Sequence, residues 1–169
     1  MSIDPLKLDH IETESLGGTV NFHLKSSLKN ANIAGLSRCQ VMKAATKFDN
    51  NFALKTESLL ERIEIIGDYK MDGKILVLPI DGEGKCNATL KNIKATIFLK
   101  ANYFEKDNQK YINATSVAVK LTPKRAHYNF ENLFKNDKKL SANINNFMNQ
   151  QWELVTNTLM PDYEKKFGE

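Results

Sequence analysis

The sequence predicts an α+β fold in which a long, strongly curved antiparallel sheet wraps around one long C-terminal helix. Three observations predict it. Apolar and polar residues alternate through most of the chain before Pro123, which is the period of half-buried strands. At Leu140 the period becomes helical: Leu140, Ile144, Phe147, Met148, Trp152, Val155 and Leu159 form one stripe about five turns long. Strands that precede a helix, rather than alternating with helices, imply α+β. Long strands twist, so such a sheet covers a lone helix by curling around it.

The elements follow in order. Ile3, Leu6, Leu8 and Ile11, around Pro5, predict an extended entry strand that ends at the turn residues Gly17-Gly18. Val20, Phe22 and Leu24 alternate with Asn21, His23 and Lys25, a half-buried strand. A turn at Asn30-Ala31-Asn32 leads to an extended stretch from Ile33 to Val41, with a bend at Gly35. Residues 43–52 read as strand and a loop around Asp49-Asn50-Asn51. Leu59-Leu60-Glu61-Arg62 are good helix formers, but the alternation of Ile63 and Ile65 makes the segment a strand.

The central stretch runs from Ile63 to Cys86. Ile63, Ile65, Tyr69 and Met71 share a face, and Asp72-Gly73 predicts a tight hairpin turn. The second arm, Ile75-Leu76-Val77-Leu78, is apolar on both faces, so it is expected mid-sheet with both faces covered. Asp81-Gly82-Glu83-Gly84 predicts another turn. A long strand then runs from Lys85 to Tyr103, with a bulge expected near Lys91-Asn92 where the apolar parity changes between Leu90 and Ile93. Its partner, Tyr111 to Leu121, keeps Val117, Val119 and Leu121 in phase. A short aromatic segment, His127 to Phe134, and a polar turn precede the helix, which Pro161 is expected to break or kink near its end.

The 169 residues suit one domain, with 41% hydrophobic and 26% charged residues and a net charge of +4. No apolar run approaches the length of a membrane-spanning helix. The mild, dispersed positive charge gives no footprint for nucleic acid. Met1-Ser-Ile-Asp-Pro-Leu6 lacks the basic and apolar regions of a signal peptide. Cys39 and Cys86 fit either one disulfide or two thiols. Asn87-Ala-Thr89 and Asn113-Ala-Thr115 are candidate glycosylation sequons. His10, His23 and His127 have no metal-ligand spacing, and no cofactor motif is present. Gly82-Glu83-Gly84-Lys85 lacks the spacing of a phosphate loop, and its acidic neighbours would repel phosphate. No nucleophile elbow or close carboxylate pair builds a catalytic centre, so the chain is read as a non-enzyme. Lys135, Lys138 and Lys139 read as a solvated turn.

Several segments resemble the insect takeout and juvenile-hormone-binding protein family. The run Gly67-Asp68-Tyr69-Lys70-Met71-Asp72-Gly73-Lys74-Ile75-Leu76-Val77-Leu78-Pro79-Ile80-Asp81-Gly82-Glu83-Gly84 is similar to its "G-x-Y-x-x-x-G-x-(I/L)-L-x-L-P-(I/L)-x-G-x-G" pattern. Asp4-Pro5-Leu6 and Ile33-Ala34-Gly35-Leu36-Ser37 resemble two earlier segments. Phe130 to Leu140, continued by Asn145-x-Phe147-x-Asn149-x-x-Trp152, resembles a later one. The resemblance implies a tubular lipid-binding fold and a secreted carrier with an internal tunnel. The ligand implied is a juvenile-hormone-like terpenoid or a fatty-acyl lipid. Against the family pattern the chain starts at the Asp-Pro-Leu entry and stops within the last helix, which implies a single domain, 1–169, without the family's first helix.

Candidate ligand-lining residues are the in-phase apolar ones: Phe22, Leu24, Ile65, Ile75, Val77, Ile97, Leu99, Val119, Phe147, Trp152 and Val155. Tyr69 and Tyr103 are the candidates for a polar contact, as apolar sites orient ligands with few polar groups. The expected partner is a small hydrophobic molecule, with no nucleic acid, no predicted membrane contact and a monomeric chain. The rival reading is a protein–protein or membrane-surface module that uses exposed apolar surface.

Overall fold

The structure, a computed structural model, describes residues 4–17, 22–48, 51–75, 78–135 and 137–168. Seven strands come first: β1 (Leu6–Gly17), β2 (Phe22–Ala34), β3 (Gln40–Phe48), β4 (Asn51–Ile75), β5 (Leu78–Lys106), β6 (Gln109–Thr122) and β7 (Arg125–Phe130). Helices α1 (Lys138–Gln150) and α2 (Trp152–Gly168) follow. All strand pairings are antiparallel, in the order β1-β2-β4-β5-β6. β3 continues the line of β2 along β4, and β7 lies beside β5.

The Asp72-Gly73 turn is not formed. β4 and β5 keep one register from Asn51↔Asn102 to Ile75↔Leu78, so Ile75 and Leu78 sit at the hairpin end rather than mid-sheet. Asp72 and Gly73 lie inside β4, opposite Asp81 and Ile80. Gly73 has φ +141°, and a Cβ there would meet the His23 carbonyl oxygen at 2.1 Å. The glycine thus serves close strand approach, the other use of a residue without Cβ. The expected turn at 81–84 is also strand, and Gly82 faces the backbone of Asn132 and Leu133.

At Asn92 the backbone takes φ +50°. The buried parity changes there in both strands, from Leu90 to Ile93 and from Ile63 to Leu60. Since Leu60↔Ile93 and Arg62↔Lys91 keep one register, the irregularity is a paired twist rather than a one-sided bulge. One-sided register shifts occur instead between Lys29 and Asn32 and between Lys100 and Ala101.

The helical stripe from Leu140 forms, but its break falls at Gln151 (φ −101°, ψ 33°), and Pro161 is accommodated inside α2. Proline removes the donor for the Asn157 carbonyl, and Asn157 is exposed to water. Asp137 caps α1 by accepting the Leu140 amide at 2.8 Å.

Each helix closes a different part of the sheet. On α1, Asn149 accepts the Tyr128 amide at 2.8 Å and donates to the Tyr128 carbonyl at 2.7 Å. Asn145 does the same for Phe130, at 2.9 and 2.8 Å. Two side-chain amides thereby complete the edge of β7 that faces away from β5. Helix α2 touches both β1 and β6, the two ends of the strand order. Ser15 donates to Asp162, the Tyr163 hydroxyl pairs with Ser26 at 3.1 Å, and the Leu121 amide donates to Glu164. The sheet is thus a curled half-barrel around the C-terminal helices, with a core that includes Leu24, Ile80, Leu90, Ile93, Leu133, Ile144, Met148 and Val155.

Candidate functional site

The residues expected to line a ligand space divide into three groups. Leu24, Tyr69 and Val155 are closed into the core, and Ile65, Phe147 and Trp152 pack half-buried against it. Trp152 lies under the Arg125 guanidinium, 5.5 Å from its ring centroid. The Tyr69 hydroxyl donates to the Glu131 carbonyl, and its ring meets Phe130 edge-on at 4.9 Å. Ile97, Leu99, Val119 and Tyr103 lie in the half of the sheet built from β3, β4, β5 and β6, where α2 meets the edge strand β6 on either side of Val119, through Glu164 at Leu121 and Gly168 at Val117. Val77 and the side chains of Phe22 and Ile75 fall outside the described residues.

In this half the two faces differ sharply. Residues directly opposite each other on antiparallel strands share a face. One cross-strand row reads Ala44, Thr56, Ile97, Val119, and the next reads Thr46, Leu54, Leu99, Val117. Further rows of the same parity include Phe48, Phe52, Ala101 and Ala114. This is the inner face, continuous with buried Ile93 and Ala95. Ile97 is 38% exposed there, and Leu99, Val117 and Val119 are half-buried. The outer parity carries Lys55, Lys94, Lys100 and Lys120. Phe52, Leu54 and Val117 also belong to the inner surface, beyond the residues expected from the sequence. The signal in the sequence is phase: Phe52 and Leu54 alternate with Ala53 and Lys55, and Val117 is in step with Val119 and Leu121.

Among the described residues no cluster of three His, Cys, Asp or Glu side chains is placed to hold a metal ion. Two open hollows of about 500 and 470 Å³ are lined mainly by polar residues, including Glu12, Lys25 and Asp72 in one and Asn129, Glu131 and Lys138 in the other. Neither is on the apolar inner face. Of the basic turn, Lys135 is held by Asp81 at 3.1 Å.

Cys39 and Cys86 are separate free thiols, and the disulfide left open by the sequence is not made. Gln40 pairs with Leu59 and Cys86 with Gly67, eight positions further along β4. That is roughly 25 Å of strand, whereas bonded cysteines need Cα atoms within about 7 Å. Asn87 is half-buried on β5 and donates to Glu64 at 3.2 Å, while Asn113 is exposed on β6.

Burial pushes the Cys86 thiol from 9.0 up to about 11 and the Tyr128 hydroxyl from 10.0 up to about 12. A hydrogen bond with Thr156 partly offsets the shift at Tyr128. Both groups stay protonated in the fold at pH values where the unfolded chain ionises. Their contribution is complete below about pH 9 and is lost as pH rises through about 11 and 12. The urea midpoint is therefore expected to fall between about pH 9 and 12. In Cys86→Ala the fall begins nearer pH 10, as read by urea titrations at stepped pH.

A sheet rolled into a half-barrel, apolar within, charged without and closed by C-terminal helices, defines an α+β binding-protein architecture. The model of the haemolymph juvenile hormone binding protein (JHBP) family matches residues 1–169, and the chain belongs to that family of binding proteins. It is 26% identical over 173 residues to the circadian clock-controlled protein daywake of Drosophila melanogaster, covering 99% of this chain and 65% of that one. Daywake of Drosophila yakuba matches with the same identity and coverage. The chain thus spans about two thirds of the length of these relatives. The crystal structure of Takeout 1 from Epiphyas postvittana superposes with a TM-score of 0.81 at 25% identity, over 94% of this chain and 71% of that one.

Proposed function

We propose that the protein is a carrier that holds a small apolar molecule against the inner face of the sheet, with Ile97, Leu99 and Val119 among the lining residues. The observation that carries this reading is the run of apolar side chains on the inner parity, with Ile97 38% exposed and Leu99 and Val119 half-buried, backed by lysines on the opposite parity. Membership of a hormone-binding family supports it. The ligand class is a juvenile-hormone-like terpenoid or a fatty-acyl lipid, enclosed in a tunnel once seated. Secretion, as the name of the haemolymph family suggests, is part of the proposal.

Burial supplies the affinity. Removing about 300 Å² of ligand surface from water contributes about 7 kcal/mol before ordering costs. The test combines native mass spectrometry with titration of radiolabelled terpenoids and fatty acids. A lipid-mass adduct and saturable binding are expected. Leu99→Glu, which sets a carboxylate among the apolar rows, is expected to weaken binding by about a hundredfold or more while far-ultraviolet circular dichroism is unchanged. No adduct and no saturable binding, or undiminished binding by a folded Leu99→Glu, would overturn the reading.

A further inference from the structure

We propose that the outer face of the half of the sheet built from β3, β4, β5 and β6 docks on an anionic lipid surface. This goes beyond the carrier reading and does not rest on it.

The charge of this face is one-sided. β5 presents Lys94, Lys100 and Lys106 outward, and the facing positions of its neighbours add Lys55 and Lys120. β3 contributes Lys43 and Lys47 from the same side. Among the described outward strand positions of residues 51–59, 94–106 and 109–120, Glu57 is the one acidic side chain, and it is already held by Lys55 at 3.2 Å and Lys94 at 3.4 Å; Glu61 and Asp107 stand at the borders of the face. Elsewhere the chain is electrically balanced. Residues 40–57 and 94–120 hold eight lysines against four acidic residues, which accounts for the whole net charge of +4.

Apolar groups lie among those lysines where solvent should select against them. Phe98 and Phe104 are each 46% exposed, and Tyr111 is 40% exposed. Phe104 and Tyr111 stack at 5.4 Å, and the Lys55 ammonium sits 5.3 Å from the Phe98 ring centroid. These side chains do not belong to the core, because their parity is opposite to that of Ile97 and Leu99. Exposed aromatic rings among lysines suit the boundary of an anionic bilayer: the rings enter the headgroup layer and the ammonium groups stay at its surface.

Other occupants fit less well. The cations are all lysines, point charges without the planar fork that favours fixed phosphate geometry in nucleic acids. The face is the outside of a curled sheet and offers no groove for a strand of nucleic acid. A second copy would bring like charge against like.

The test uses the full chain, unglycosylated because the sequon residue Asn113 shares this face. It is floated with vesicles of phosphatidylcholine alone or mixed with phosphatidylserine. Flotation with the mixed vesicles only, lost at high salt, is expected. Each surface lysine contributes about fivefold in partitioning, so Lys100→Gln/Lys106→Gln is expected to lower it about twentyfold. Phe104→Ser/Tyr111→Ser should also lower it, whereas Lys138→Gln/Lys139→Gln on α1 should not. The proposal is overturned by no flotation with mixed vesicles, or by equal loss in the α1 variant. It is also overturned if the outer-face variants abolish dimerisation or oligonucleotide binding but leave flotation unchanged.

Discussion

Asn149→Ala is expected to lower stability by about 3 kcal/mol and the melting temperature by about 10 °C. The side chain both accepts from and donates to the backbone of Tyr128, so its removal leaves one amide and one carbonyl of a partly buried edge without partners. The effect depends on a coincidence of spacing. Four helical residues rise about 6.0 Å, and two strand residues span about 6.7 Å. Asn145 and Asn149 can therefore each meet alternate residues of β7, Phe130 and Tyr128, as a neighbouring strand would. Ser141, another four positions back, accepts the Phe134 amide at 3.0 Å and donates to the Asp137 carbonyl at 2.8 Å, beyond the end of β7. Asn149→Asp keeps the acceptor but sets a carboxylate against the Tyr128 carbonyl, and is expected to lose at least as much. Thermal and urea unfolding measure both; a change below about 0.5 kcal/mol, the size of an ordinary surface substitution, would refute the strand-mimic role.

Gly82→Ala is expected to cost about 3 kcal/mol. A Cβ at this position would stand 2.4 Å from the Asn132 carbonyl oxygen and 2.6 Å from the Leu133 Cα. Both obstacles are backbone, and Leu133 is fully buried, so the segment between β7 and α1 has little room to retreat. Gly84 provides the control. Its added Cβ would lie 3.0 Å from the Glu131 carbonyl oxygen, a contact relieved by a few tenths of an ångström. Gly84→Ala is accordingly expected to cost about 1 kcal/mol. Equal urea midpoints for the two variants would show that close backbone approach is not the reason for glycine at 82.

Much of the fold is legible in the sequence because its signals are local. Phe22 to Lys25 and Ile93 to Tyr103 announce strands by alternation, and Leu140 to Leu159 announces a helix by its stripe. The resemblance carried by residues 67–84 and 130–152 points to the right family. Asp72-Gly73 misleads because glycine has two uses that look alike in a single chain. It permits a tight turn, and it lets two backbones approach, and only the position of His23 on β2 distinguishes them here. The break at Gln151 is hidden for a similar reason: α1 is held to β7 by Asn145 and Asn149, whereas α2 must reach β1 and β6.

The candidate site is legible in part. Ile97, Leu99 and Val119 share a face with one another, as their parity implies. Parity does not reveal that Leu24, Tyr69 and Val155 are sealed inside the core, because that depends on where two helices come to rest on seven strands. The hydroxyl of Tyr69 is engaged by Glu131, a residue 62 positions away that no local pattern connects to it.

The seam made by α2 also orders events during synthesis. Asp162, Tyr163 and Glu164 fasten strands made at opposite ends of the sheet, and β1 is translated about 145 residues before them. Contacts of such long sequence separation close late. On the ribosome, all seven strands emerge before the segment that joins the first to the last. The growing chain therefore passes through a stage in which the core-facing side of the sheet is open to water, and that stage lasts until α2 has cleared the exit tunnel.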